Sequence, residues 1–72
     1  MGKKWCVYAD PTSCYDLWCF GGTRHFELIY ESKFESMANI TKYLWEFSHA
    51  DGEAFVVHGK LSAYALWSRN HR

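Results

Sequence analysis

The segment from Ser32 to Gly52 constrains the fold of this chain most strongly, because it carries both the start and the stop signals of one helix. Ser32 and Glu35 have the spacing of a capping box, in which each residue's side chain satisfies a free backbone donor of the other. Asp51 and Gly52 supply the stop, since glycine suits the left-handed conformation that follows many helices. We therefore expect a single helix between these two signals.

The predicted helix has two distinct faces. Its apolar residues recur at helical spacing, and we expect this stripe to form the core of the protein. Replacing one of the large apolar residues with alanine should then cost about 2–5 kcal/mol. A polar face lies opposite, with Trp45 and Tyr43 at the borders. The apolar set is Phe34, Met37, Ile40, Thr41, Leu44 and Phe47, and the polar set is Glu35, Asn39, Lys42 and Glu46.

Short alternating segments on both sides of the helix predict β-strands. Turn residues at Asp10–Ser13 and at the Gly21-Gly22 pair separate the first three. The last segment is compatible with either a strand or a helix, and we favour a strand because the short Gly59-Lys60 turn is typical of a hairpin. The predicted strands are Lys4–Ala9, Asp16–Phe20, His25–Glu31, Glu53–His58 and Leu61–Ser68.

These elements predict a single small α+β domain over residues 1–72, in the order β-β-β-α-β-β. One amphipathic helix would pack across one face of an antiparallel sheet. The last predicted strand has no charge between Lys60 and Arg69, so it would form an unprotected sheet edge that can pair with another chain. On that ground we expect a homodimer.

The three cysteines indicate location rather than chemistry. An odd number cannot pair fully within one chain, and no apolar signal stretch follows the first residues, so we expect a cytoplasmic protein with reduced thiols. Cys6, Cys14, Cys19 and His25 lack the close cysteine pair of most zinc sites. No catalytic motif is present either. We therefore expect no metal, no cofactor and no enzymatic activity.

Composition points to binding. Trp, Tyr and Phe make up 19% of the chain, more than so small a core can hold, and exposed aromatic patches often contact partners. A formal net charge of zero argues against a generic basic nucleic-acid binder. The charge is nevertheless uneven, because residues 10–53 hold all eight acids and only three bases, a net of −5.

We therefore interpret the chain as a non-enzymatic protein-binding module, an inhibitor or regulator of a larger protein or complex. In size and composition alone it is similar to phage- or mobile-element-encoded inhibitors of host machinery, anti-CRISPR proteins among them. The predicted docking surface is acidic and flanked by an aromatic residue, and it suits a partner with a basic rim. Its candidate residues are Glu27, Glu31, Glu35, Asn39, Trp45 and Glu46.

The alternative is a nucleic-acid-binding domain. Aromatic side chains on the predicted sheet would stack on bases, and basic residues near the termini would hold phosphates. Tyr8, Trp18 and Phe20 are the sheet aromatics, and they are also the second choice for a protein-docking surface. The basic residues are Lys3, Lys4, Lys60, Arg69 and Arg72.

Overall fold

A computed structural model describes residues 2–20 and 22–71 of the chain, so Gly21 of the predicted reversal and Arg72 of the basic terminus lie outside the described residues. The fold is α+β, with a three-stranded antiparallel sheet in the order β2-β1-β3. The elements are β1 (Trp5–Asp10), α1 (Cys14–Phe20), β2 (Glu27–Ser32), α2 (Glu35–Ser48), β3 (Glu53–His58) and α3 (Ala63–Asn70).

Strand β1 is the centre of the molecule. It pairs with β2 on one side and β3 on the other, and all of its residues after Trp5 are buried. Cys6 and Tyr8 point to one face of the sheet and join Phe26 in an apolar cluster. The alternation of a strand places Val7 and Ala9, both buried, on the opposite face.

The two faces of the sheet are covered by different helices. On the Tyr8 face, Leu66 of α3 packs against the apolar cluster, and the backbone N–H of Leu61 donates to the Tyr8 hydroxyl at 3.0 Å. Helix α2 contacts all three strands and covers the Val7 face. No helix in the described ranges combines the length and apolar character that crossing a bilayer requires.

The predicted second strand is wrong, because Cys14–Phe20 forms helix α1. Ser13 begins it: its hydroxyl accepts the N–H of Asp16 at 3.0 Å, and its carbonyl accepts the N–H of Leu17 at 3.1 Å. A serine that satisfies the first free donors is a helix N-cap, and this local interaction outweighs the alternation of apolar residues in so short a segment.

The predicted last strand is also wrong, because Ala63–Asn70 forms helix α3. Ser62 caps it by accepting the N–H of Ala65 at 3.1 Å, and the alanines and leucine that follow favour a helix. The order is thus β-α-β-α-β-α rather than β-β-β-α-β-β. The edge that supported a homodimer does not exist.

The other elements follow the sequence more closely. The strand Glu53–His58 is confirmed, and the strand predicted to start at His25 begins two residues later, at Glu27. Helix α2 begins at Glu35, and its N-cap Phe34 makes no side-chain hydrogen bond. The capping box is therefore wrong: the Ser32 hydroxyl accepts the N–H of Phe34 at 3.1 Å instead.

The role assigned to Gly52 is also corrected. Gly59 has the one positive φ, +96°, among the described residues, so Gly52 is not left-handed. Gly52 is needed instead for close packing. A Cβ there would lie 2.5 Å from the Trp45 ring and 2.8 Å from the Asp10 carbonyl oxygen.

Candidate functional site

The apolar stripe of α2, predicted as core, lies at the surface. Leu44 is 64% exposed and Phe47 is 89% exposed, whereas Ala38 is completely buried. The helix thus packs on the sheet through the side opposite its large apolar residues. We call these residues, together with the exposed N-cap Phe34, the outward stripe; they are Phe34, Met37, Ile40, Tyr43, Leu44 and Phe47.

Side-chain size explains why the expected orientation is wrong. The buried residues of the sheet on the Val7 face include Ala9 and Ala54, which are small, and Ala38 is the one buried residue of α2. An alanine at the contact lets a helix approach a sheet closely. A large side chain in its place would hold the helix away or force the core to rearrange.

The outward stripe carries no charge. Within α2 the charged residues are Glu35, Lys42 and Glu46, and at 3.6 residues per turn all three fall on the other half of the helix. Lys42 Nζ and Glu46 Oε1 lie 3.3 Å apart, and both residues are half-buried. The outward half of α2 is therefore an uncharged apolar ridge.

The candidate residues predicted on α2 do lie on one side of it, but not on its most accessible side. Glu35 is exposed in the first turn, whereas Asn39 and Glu46 are half-buried. Trp45 is half-buried as well: its ring stacks on His49 at 4.3 Å and packs against Gly52. Trp45 thus holds the end of α2 against the start of β3.

The two candidate glutamates on β2 lie apart from each other. Glu27 is exposed, while Glu31 is half-buried and pairs with Lys60 at 3.3 Å. Glu31 is the partner of Cys6 in the sheet register, so it belongs to the face opposite α2. Burial and then the Glu31 carboxylate raise the pKa of the Cys6 thiol, which agrees with this placement.

The aromatic residues predicted for the sheet do not form a platform. Tyr8 is buried, with its ring stacked on Phe55 at 5.4 Å. Trp18 is exposed, but it lies on α1 rather than on a strand. The Phe20 side chain is outside the described part of the structure. Exposed aromatics are found instead on the helices and at the N-cap of α2: Tyr15, Trp18, Phe34, Tyr43, Phe47, Tyr64 and Trp67.

The described residues form no metal site around Cys6, Cys19 and His25, three of the four residues weighed above as zinc ligands. Among the described residues, no group of three or more His, Cys, Asp or Glu side chains could hold an ion. Cys6 is buried in the sheet and Cys19 is exposed on α1, while the Cys14 side chain lies outside the description.

Asp10 carries a buried charge at the end of β1. Its Oδ1 accepts from the Thr12 hydroxyl at 2.8 Å and the Thr12 N–H at 3.1 Å, and its Oδ2 pairs with Arg24 at 3.3 Å. Burial by itself would raise the pKa of Asp10. The hydrogen bonds from Thr12, from the backbone of His25 and from Arg24 outweigh burial, so this pKa lies below its ordinary value. This carboxylate ties the segment before β2 to β1.

No family model, curated protein or solved structure matches the chain. Among the described residues, α2 and its N-cap Phe34 expose six large apolar side chains, more than any other element.

Proposed function

We propose that the protein is a non-enzymatic cytoplasmic binding module that inserts the outward stripe of α2 into an apolar groove on a larger protein, which it inhibits or regulates. One observation carries the proposal. A well-formed helix of 14 residues exposes its large apolar side chains and turns its charged side toward its own sheet.

The stripe has the dimensions of a helix that binds in a groove. Ile40, Leu44 and Phe47 stand at positions i, i+4 and i+7, a spacing that recurs in helix-in-groove recognition. A helix of this length reaches about 20 Å at 1.5 Å per residue. Each large apolar side chain that becomes buried contributes about 1.5–3 kcal/mol, against an association cost of about 4–15 kcal/mol, so stable binding needs several of the six to be buried.

Charge favours a different protein over a second copy of this chain. Glu27 and Glu35 are exposed and form no ion pair within the described residues, and the segment 10–53 to which α2 belongs has a net charge of −5. Two copies that met through α2 would bring these acidic flanks together. A groove with a basic rim would attract them instead and speed association.

Two tyrosines provide a matched test. Tyr43 on the stripe and Tyr64 on α3 are 66% and 77% exposed, so Tyr43→Glu and Tyr64→Glu make the same change at two accessible helix positions. The partner is first captured with the parent protein and purified. We expect it to bind Tyr64→Glu with the affinity of the parent and Tyr43→Glu at least tenfold more weakly. Equal binding by the two variants would contradict the proposal.

Two further measurements can show that the partner is not a larger protein. Sedimentation equilibrium that shows a dimer in the parent and a monomer in Tyr43→Glu would assign the stripe to a second copy. Binding to mixed oligonucleotides that weakens steeply with salt would favour the nucleic-acid alternative. For a basic-rimmed protein groove, Glu35→Lys should slow association and leave the melting temperature nearly unchanged.

A further inference from the structure

A cavity of about 510 Å³ lies on the α3 side of the sheet, away from the outward stripe. This volume is within the range of small-molecule sites. Leu17, Phe26 and Phe55 give it an apolar wall, and Arg69 and Asn70 at the end of α3 add polar groups. The cavity therefore combines a hydrophobic surface with a few polar side chains.

At this cavity the Arg69 guanidinium and the Asn70 NH₂ group donate no hydrogen bond to another described residue. The Arg69 guanidinium carbon lies 4.3 Å from the centre of the Phe55 ring, and no hydrogen bond or ion pair engages the guanidinium within the described residues. The Asn70 Oδ1 accepts the backbone N–H of Phe26 at 2.9 Å. Since a backbone N–H only donates, the oxygen must face Phe26, which leaves the Asn70 NH₂ group free to donate elsewhere.

The nearby acids are already bound by another arginine. Arg24 contacts Glu53 Oε2 at 3.3 Å and Asp10 Oδ2 at 3.3 Å, and it donates to the Thr12 carbonyl at 2.9 Å. Asp10 is buried and does not line the cavity. The cavity wall thus holds two arginines against one carboxylate, and the donors of Arg69 remain available.

We propose that this cavity binds a small organic oxyanion, a carboxylate or a phosphate ester with an apolar body, through Arg69 and Asn70. The planar guanidinium fork of Arg69 matches the geometry of two oxygen acceptors. The Phe55 ring beneath it fixes its orientation before the ligand arrives. The apolar wall then contacts the body of the ligand.

The probes are benzoate, phenyl phosphate, inorganic phosphate and the neutral benzamide, titrated into the full chain and followed by NMR. We expect benzoate or phenyl phosphate to produce saturable shifts at the Arg69 side-chain N–H and the Asn70 NH₂ group, with a millimolar Kd. The tighter of the two identifies the oxyanion. No saturable shift up to about 10 mM, tenfold above a millimolar Kd, would overturn the proposal. Benzamide binding as tightly as benzoate, or inorganic phosphate binding as tightly as phenyl phosphate, would overturn it too.

Three variants locate the site. Arg69→Gln should weaken binding tenfold or more, and Arg69→Lys, which keeps the charge and the stem, should weaken it several-fold. Lys60→Gln removes the same charge outside the cavity and should change the Kd by less than twofold. If the circular dichroism spectrum of Arg69→Gln differs from that of the parent, the variant is misfolded, and Arg69→Lys then tests whether Arg69 binds the ligand. Unchanged affinity in a folded Arg69 variant would contradict the assignment.

Discussion

Strand β1 and helix α2 each carry a row of apolar residues, and the fold treats the two rows in opposite ways. Every residue of β1 after Trp5 is buried, including the charged Asp10. In α2 the one buried residue is Ala38, and the large apolar side chains are exposed. The contrast shows that position against the sheet, and not apolar character alone, decides what this small domain buries.

The difference also separates stability from function. Burial along β1 means that changes there act on folding, because each side chain has close neighbours. Exposure along the outward stripe means that changes there remove few contacts within the chain. We infer that β1 maintains the fold, while α2 carries an apolar surface for a partner.

The largest effect is expected at the buried charge of β1. Asp10→Ala removes the partner of Arg24, and breaking a buried ion pair from one side costs about 3–5 kcal/mol. That is much of the stability of a domain of this size. Urea unfolding followed by circular dichroism measures it. Glu53→Ala removes a second carboxylate from the same arginine, but one that is 58% exposed, and should cost less than about 1 kcal/mol. Equal costs would show that burial at Asp10 is unimportant.

Acid should act through the same carboxylate. Because the pKa of Asp10 is lowered in the folded protein, its contribution to stability is complete above the unfolded pKa of about 3.9 and is lost as pH falls through the folded pKa. The urea midpoint of the parent should fall below about pH 4. Asp10→Asn should have a lower urea midpoint than the parent at neutral pH, and its midpoint should fall less as the pH drops over the same range. If the urea midpoint fell equally with pH in both proteins, the acid sensitivity would belong to other carboxylates.

A smaller effect is expected on the packed side of α2. Ala38→Leu adds three carbons at a completely buried position and should destabilise the fold by about 1–3 kcal/mol. Ser36→Leu adds a similar side chain at an exposed position of the same helix and serves as the control. We expect its unfolding free energy to stay within about 0.5 kcal/mol of the parent. The reverse order would mean that α2 packs through its other side.

Part of this fold is predictable from residue patterns. The strand Glu53–His58 has clear alternation between two turn signals, and its bounds agree with the structure. The strand predictions for residues 14–20 and 63–70 were wrong because alternation of apolar residues over so few positions fits a strand and a helix equally well. The caps at Ser13 and Ser62 were the signals that could have decided both.

The candidate site is less predictable, and for a different reason. Helical periodicity identifies the two faces of α2 but does not say which one meets the sheet. That depends on the small residues Ala9 and Ala54 across the interface and on Gly52 beneath Trp45, which become neighbours only in the folded chain. Ala38 is inconspicuous in the sequence because an alanine fits either face of a helix.

The unfolding free energies of Leu44→Ala and Phe47→Ala show whether the outward stripe is surface or core. The measurement is urea denaturation at a concentration where sedimentation shows a monomer. Since both side chains are mostly exposed and alanine favours a helix, we predict that each variant stays within about 0.5 kcal/mol of the parent. A loss of about 2–5 kcal/mol in either variant would show instead that these residues are core.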